Sequence, residues 1–123
     1  NFLLGAGMVL IQRSTIKFVV IHKSSREYWF LPRGRKDLGE TLEAATLREA
    51  YEGSSCRVEF MPIYNHSRAP TPLVKENVYG EPSIKPICIT MTAWRENGLR
   101  GMQTPDVNLR YECLVPRYIG SIK

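Results

Sequence analysis

With 123 residues, 43% of them hydrophobic and 24% charged, the chain has the size and composition of one globular domain, 1–123, with a single core. Seventeen Lys and Arg against twelve Asp and Glu leave a net charge of +5, which favours anionic partners such as nucleotides, polyphosphates and nucleic acid and serves solubility equally well. Three widely spaced cysteines without a C-x-x-C pair indicate neither a disulfide framework nor a zinc site, and point to a reducing, intracellular compartment, cytoplasmic or nuclear.

The apolar opening "NFLLGAGMVLI" lacks an initiator Met and a basic leader, so it reads as a strand and not a signal peptide, and its abrupt start leaves room for a longer protein around the domain. No apolar stretch is long enough to span a bilayer as a helix. "GAGMVLIQR" and "TIKFVVIHK" read as two strands joined at Ser14-Thr15, followed by a turn over Lys23–Glu27 and a short strand "YWFL". Pro32 and Gly34 are then expected to break regular structure. From Thr41 to about Glu52 the period becomes helical, with Thr41 as N-cap and Glu40 and Glu43 near the positive end of the helix. Ala44, Leu47 and Tyr51 form the expected buried stripe, with Ala50 at its edge. Gly53-Ser54-Ser55 ends the helix. "CRVEFMPIY" alternates as a strand. Tyr64 to Pro86 holds four prolines and no period, which marks a functional, mobile or inserted loop. "ICITMTAWR", the turn "ENGLRG" and a last strand "YECLVPRYI" complete the chain. Cys88 and Cys113 lie in apolar runs and read as buried fillers. Strands outnumber helices, which suggests a mixed sheet with helix packing, in the α+β or α/β class.

The chemistry concentrates on the helix. Glu49 and Glu52, three residues apart, lie about 60° apart on one face, and Arg48 sits one turn before Glu52, in pairing reach. Two carboxylates beside a glycine loop suit a hard divalent cation such as Mg²⁺, which takes oxygen ligands and keeps waters and substrate phosphates. Taken alone, Glu-x-x-Glu is more often a solvated acidic face. Arg33, Arg35 and Lys36, in the loop before the helix, are candidate phosphate contacts; an ordinary exposed basic loop is the competing reading. His22 and His66 lack ligand-spaced partners and read as surface or core-edge residues. Tyr28, Trp29 and Trp94 read first as packing residues, with base stacking as the alternative.

The segment "GRKDLGETLEAATLREAYEGSSC", from Gly34 to Cys56, resembles the Nudix box, G-x5-E-x7-R-E-U-x-E-E-x-G-U with U aliphatic. Gly34, Glu40, Arg48, Glu49 and Glu52 match, Ala50 is acceptable at the aliphatic position, and "WFLPRG" is similar to the family's lead-in. The resemblance implies an α/β Nudix fold, a mixed β-sheet sandwiched by helices (α/β/α). The helix that usually follows the last strand is not evident before Lys123. It further implies a metal-dependent hydrolase of nucleoside diphosphate derivatives or related phosphoanhydrides, using Mg²⁺ or Mn²⁺. Gly34 would then offer a carbonyl ligand, Glu49 and Glu52 would bind metal with Glu49 the better candidate base, Arg48 would orient the glutamates, and Glu40 would brace the loop or an outer-shell water. Substrates in the family include nucleotides, dinucleoside polyphosphates, diphosphoinositol polyphosphates and RNA caps. The chain departs from the pattern at Gly53, where the family has a glutamate that is usually a principal ligand, and at Ser55, where it has a glycine. Glu81, Glu96 or Glu112 are candidate replacement ligands. The rival expectation is a catalytically silent Nudix module that binds a phosphorylated ligand, RNA or a protein; Gly53 favours it, while the intact Arg48, Glu49 and Glu52 favour the enzyme.

Overall fold

A computed structural model describes residues 2–25, 27–64, 82–96 and 109–123. In chain order the elements are β1 (Phe2–Gln12), β2 (Lys17–Phe18), β3 (Ile21–Lys23), β4 (Tyr28–Phe30), β5 (Arg33–Arg35), α1 (Leu42–Ser54), β6 (Val58–Phe60), β7 (Cys88–Glu96) and β8 (Leu109–Ile122). The sheet is built on a central parallel pair, β1 and β8, registered from Phe2 opposite Glu112 to Ile11 opposite Ser121. The far edge of β1 carries β5 and β2 end to end, both antiparallel. The far edge of β8 carries β7 and β6 in the same way. A second, two-stranded sheet is the hairpin β3–β4.

Alternation along β1 sorts its two faces. Ala6, Met8 and Leu10 are fully buried on the side where α1 packs. Met8, Leu10 and Ala50 form the core, extended by Val19, Leu47, Val58, Phe60 and Ile122. Burying side chains such as Met8 and Leu10 contributes about 1.5–3 kcal/mol each. The opposite face of β1 carries Gly5 and Gly7, against which Cys113, Val115 and Arg117 of β8 are packed. Tyr118, on the helix side of β8 and 2% exposed, packs its ring tilted against Phe60 at 5.3 Å, and burial, with Glu43 of the first turn of α1 nearby, raises its pKa.

The helix begins as its sequence dictates. Thr41 is extended (φ −77°, ψ 159°), and its Oγ1 accepts the Ala44 N–H at 3.1 Å. Its buried side differs from the expected one. Ala45, Thr46 and Ala50 are buried and Leu47 is half-buried, whereas Ala44 is exposed and Tyr51 is 55% exposed. Small side chains let the helix lie close to β1, and the bulky Tyr51 is turned to solvent.

Four further expectations are corrected. Pro32 and Gly34 do not break regular structure: the Pro32 carbonyl accepts the Met8 N–H at 3.0 Å, the Lys36 N–H donates to Leu4 O at 2.9 Å, and Arg33–Arg35 between them is a strand on β1. "TIKFVVIHK" splits into β2 and β3 because its ends pair with different partners, β1 and β4. Cys88 is exposed, since it opens a strand on the outer rim of the sheet; Cys113 is buried as expected. Trp29, 65% exposed, stacks on His22 across the hairpin at 4.4 Å, in keeping with its reading as a packing residue on the sheet surface. "CRVEFMPIY" contributes only Val58–Phe60 to the sheet. His66, Glu81, most of the proline-rich loop and the "ENGLRG" turn past Glu96 lie outside the described residues. No helix among the described residues is long and apolar enough to cross a membrane.

Candidate functional site

The edge of the sheet formed by β5 meets the outward face of α1, and Arg48 joins the two. Its Nε donates to Glu40 Oε2 and its Nη2 to Glu40 Oε1, both at 2.8 Å, a two-pronged grip on one carboxylate. Nη2 also donates to the Arg35 carbonyl at 2.9 Å. Nη1 turns the other way, to Glu49 Oε1 at 2.7 Å and Glu52 Oε2 at 3.4 Å. One guanidinium thus orders three carboxylates and a strand carbonyl. Planar, forked geometry is what makes this feasible for Arg and not for Lys. Asp37 adds a longer ionic contact at 3.6 Å.

The loop between β5 and α1 is shaped around Glu40. Glu40 Oε1 accepts the Asp37 N–H at 3.0 Å, and Gly39, at φ +77°, supplies the left-handed residue that lets the chain double back. Hydrogen bonds from Arg48, reinforced by the Asp37 N–H, lower the Glu40 pKa from 4.5 to about 2. The same bonds, to Glu40 first and then Glu49, push the Arg48 pKa further up. Both groups are therefore locked in their charged forms across the ordinary pH range.

Glu49 is seated against Gly34. A side chain at position 34 would collide with the Glu49 carboxylate, so the glycine supplies the space that the carboxylate occupies. The Glu49 side chain is only 17% exposed, against 57% for Glu52. Glu49 is the sheltered member of the pair, and the Arg48–Glu52 contact is worth little by itself. Arg48 takes one oxygen from each glutamate, leaving Glu49 Oε2 and Glu52 Oε1 as donors.

These residues were legible in the sequence, and the fold brings Gly34, Glu40, Arg48, Glu49 and Glu52 together. The basic residues distribute differently. Gly34 faces the helix, so alternation along β5 sends Arg33 and Arg35 to the opposite face of the sheet. Arg33 lies close enough to Arg117 to affect its ionisation. Lys36 Nζ donates to the Asp37 carbonyl at 3.1 Å. Ile21 has no signal in the sequence. A Cβ on Gly53 would stand 2.5 Å from Ile21 Cδ1, so β3 fills the space into which a side chain at 53 would grow.

Two carboxylates fit a hard cation only in part. Among the described residues no group of three or more His, Cys, Asp or Glu is gathered as a metal cage. Two free carboxylate oxygens suit a cation that keeps much of its water and completes its shell with substrate phosphate, the habit of Mg²⁺. Glu96 and Glu112 lie on β7 and β8, but their side chains are outside the description.

No family model matches the chain. Among solved structures, the crystal structure of C. elegans Ap4A hydrolase aligns with 99% of this chain and 69% of its own, at a TM-score of 0.51 and 14% identity. At that identity the likeness concerns the fold, which is α/β with a mixed sheet and a Nudix-like arrangement.

Proposed function

We propose that the chain is a Nudix-type, metal-dependent hydrolase of phosphoanhydrides, with nucleoside diphosphate derivatives as the leading substrate class. The observation that carries this reading is the Arg48 clamp: one side chain holds Glu40, Glu49 and Glu52 while Gly34 makes room for the Glu49 carboxylate. Such a network costs side-chain entropy and is poorly explained as surface decoration. Glu49, Glu52 and the Gly34 carbonyl are the proposed holders of Mg²⁺ or Mn²⁺. That ion, when bound, would supply charge against the phosphate oxygens and acidify a bound water. Glu49 is the proposed base for an attacking water, a role supported by its shelter and by its hydrogen bond from Arg48. Arg48 fixes both glutamates in the geometry the reaction needs, and Glu40 anchors Arg48. Arg33, Arg35 and Lys36 remain proposed phosphate contacts, with Arg33 and Arg35 reaching a ligand from the other face of β5. The name of the structural neighbour adds a dinucleoside polyphosphate to the substrates worth testing.

One observation favours the second reading, a module that binds a phosphorylated ligand, RNA or a protein without turnover. At position 53 the chain lacks a carboxylate, and Ile21 is packed into the space beside it. The deciding experiment titrates Mg²⁺ and Mn²⁺ by calorimetry and screens phosphate release over nucleoside triphosphates, dinucleoside polyphosphates, diphosphoinositol polyphosphates and capped RNA. Turnover that depends on metal and disappears in Glu49→Gln supports the hydrolase. Ligand binding with no turnover under either metal supports the module.

A further inference from the structure

The stretch leading from β2 into the hairpin β3–β4 alternates between two sides. Val19 packs against the core and Ile21 lies against Gly53, so both turn toward α1. Phe18, Val20 and His22 turn the other way, and Trp29 joins them as the cross-strand partner of His22. Phe18 is 61% exposed, Val20 47% and Trp29 65%. His22 and Trp29 are stacked at 4.4 Å with their planes 29° apart. An indole backed on one side by an imidazole and still 65% exposed presents its other side to solvent.

The same stretch is basic. Residues 13–27 hold four cations, Arg13, Lys17, Lys23 and Arg26, against one acid, Glu27, and so carry a net +3 of the chain's +5. Arg13, Lys17 and Lys23 are exposed, and no ion pair among the described residues engages them. Cations interleaved with exposed rings match a polymer that alternates anionic phosphates with planar bases. An acidic protein surface would meet the charge equally well. The stacked pair favours the nucleic acid, because a ring already fixed flat against another offers its face, and the face is what a base uses.

We infer that the outward side of the hairpin binds single-stranded nucleic acid, with Trp29 on His22 as the stacking surface for a base and Lys17 and Lys23 as phosphate contacts. The site faces away from α1 and its Arg48 cluster. It needs no divalent metal and stands whether or not the chain is a hydrolase.

The test follows the fluorescence anisotropy of a labelled oligoadenylate RNA with the full chain in EDTA, which keeps metal-dependent turnover out of the result. The single strand should bind, and its duplex with oligouridylate should bind more weakly, because paired bases are not open to stacking. Trp29→Ala should lower affinity about tenfold, the order expected for loss of one base–aromatic stack, and Trp29→Phe should keep most of it. His22→Ala, which removes the ring behind the indole, should weaken binding less than Trp29→Ala. Lys17→Gln combined with Lys23→Gln should flatten the dependence of affinity on salt. Tyr51→Ala, at an exposed aromatic on α1, should leave affinity unaltered. Affinity in Trp29→Ala equal to the parent's, or equal affinity for strand and duplex, overturns the stacking site and leaves a general basic surface. Should Trp29→Ala fail to fold, His22→Ala and the paired lysine variant decide by the same comparison with the parent. A parent that does not bind overturns the proposal outright, and self-association lost in Trp29→Ala would then give the row to a second copy of the chain.

Discussion

At the scale of single residues, the Arg48 cluster explains why Gly34 and Glu40 have the identities they have. Gly34 is a glycine for want of room, since Glu49 rests on it. Gly34→Ala should displace the Glu49 carboxylate from Arg48. Overpacking of this kind costs about 1–3 kcal/mol, and the lower end is expected because the displaced group is the end of a side chain. Chemical denaturation should register that loss, and metal titration should show weakened binding. Glu40 has a folded pKa of about 2 against an ordinary 4.5, so the folded state prefers its charged form. Its stabilising effect is therefore complete above about pH 4.5 and is lost as the pH falls toward 2. Thermal melts at stepped pH should show the parent losing stability through that window. Glu40→Gln should be less stable at neutral pH and flatter through the same window.

At the scale of elements, α1 shows a helix whose ends were readable and whose rotation was not. Thr41 and the Gly53-Ser54-Ser55 stop are local chemistry, a side-chain oxygen for an orphan N–H and a left-handed residue to close the last turn. Ser55 occupies that left-handed position at φ 58° with its N–H bonded to Tyr51 O at 2.8 Å. This is the position where the resembled pattern has glycine, and the backbone supplies the reason. Ser55→Gly should raise stability by about 1 kcal/mol, read as a higher denaturation midpoint with unchanged slope, because a non-glycine residue pays that much to be left-handed. Of the expected stripe Leu47 and Ala50 do pack against the core, while Ala44 and Tyr51 are exposed, because spacing reports amphipathicity and the side that packs is the one whose small residues allow close approach to the sheet. β5 was missed for a related reason. A proline and a glycine are poor strand formers, yet hydrogen bonds to Leu4 and Met8 at either end of the segment hold it on β1.

At the scale of the whole molecule, the hairpin β3–β4 and the helix end meet at one contact that bears on activity, Ile21 against Gly53. Gly53→Glu alone should be opposed by the Ile21 terminal methyl. Gly53→Glu combined with Ile21→Val removes that methyl and should raise Mn²⁺ affinity and turnover together, with Glu49→Gln abolishing the gain. Calorimetry beside a phosphate-release assay separates the cases. A well-folded double variant with neither gain would assign the site to binding without chemistry. The parent, with two carboxylates, should bind Mg²⁺ weakly and prefer Mn²⁺.

The sequence by itself determined the helix and its caps, the β-rich mixed architecture, and the grouping of Gly34, Glu40, Arg48, Glu49 and Glu52. Those features rest on short-range spacing, where the period of a helix and a tight loop converts position into proximity. The tertiary structure alone decided which face of α1 is buried, that Arg33 and Arg35 stand on the opposite side of the sheet from Glu49, and that Arg117 lies beside Arg33. It also decided that Ile21 stands beside Gly53. Each of these depends on strand register and on contacts between segments far apart in the chain, and a shift of one residue in register would turn every such side chain to the other face.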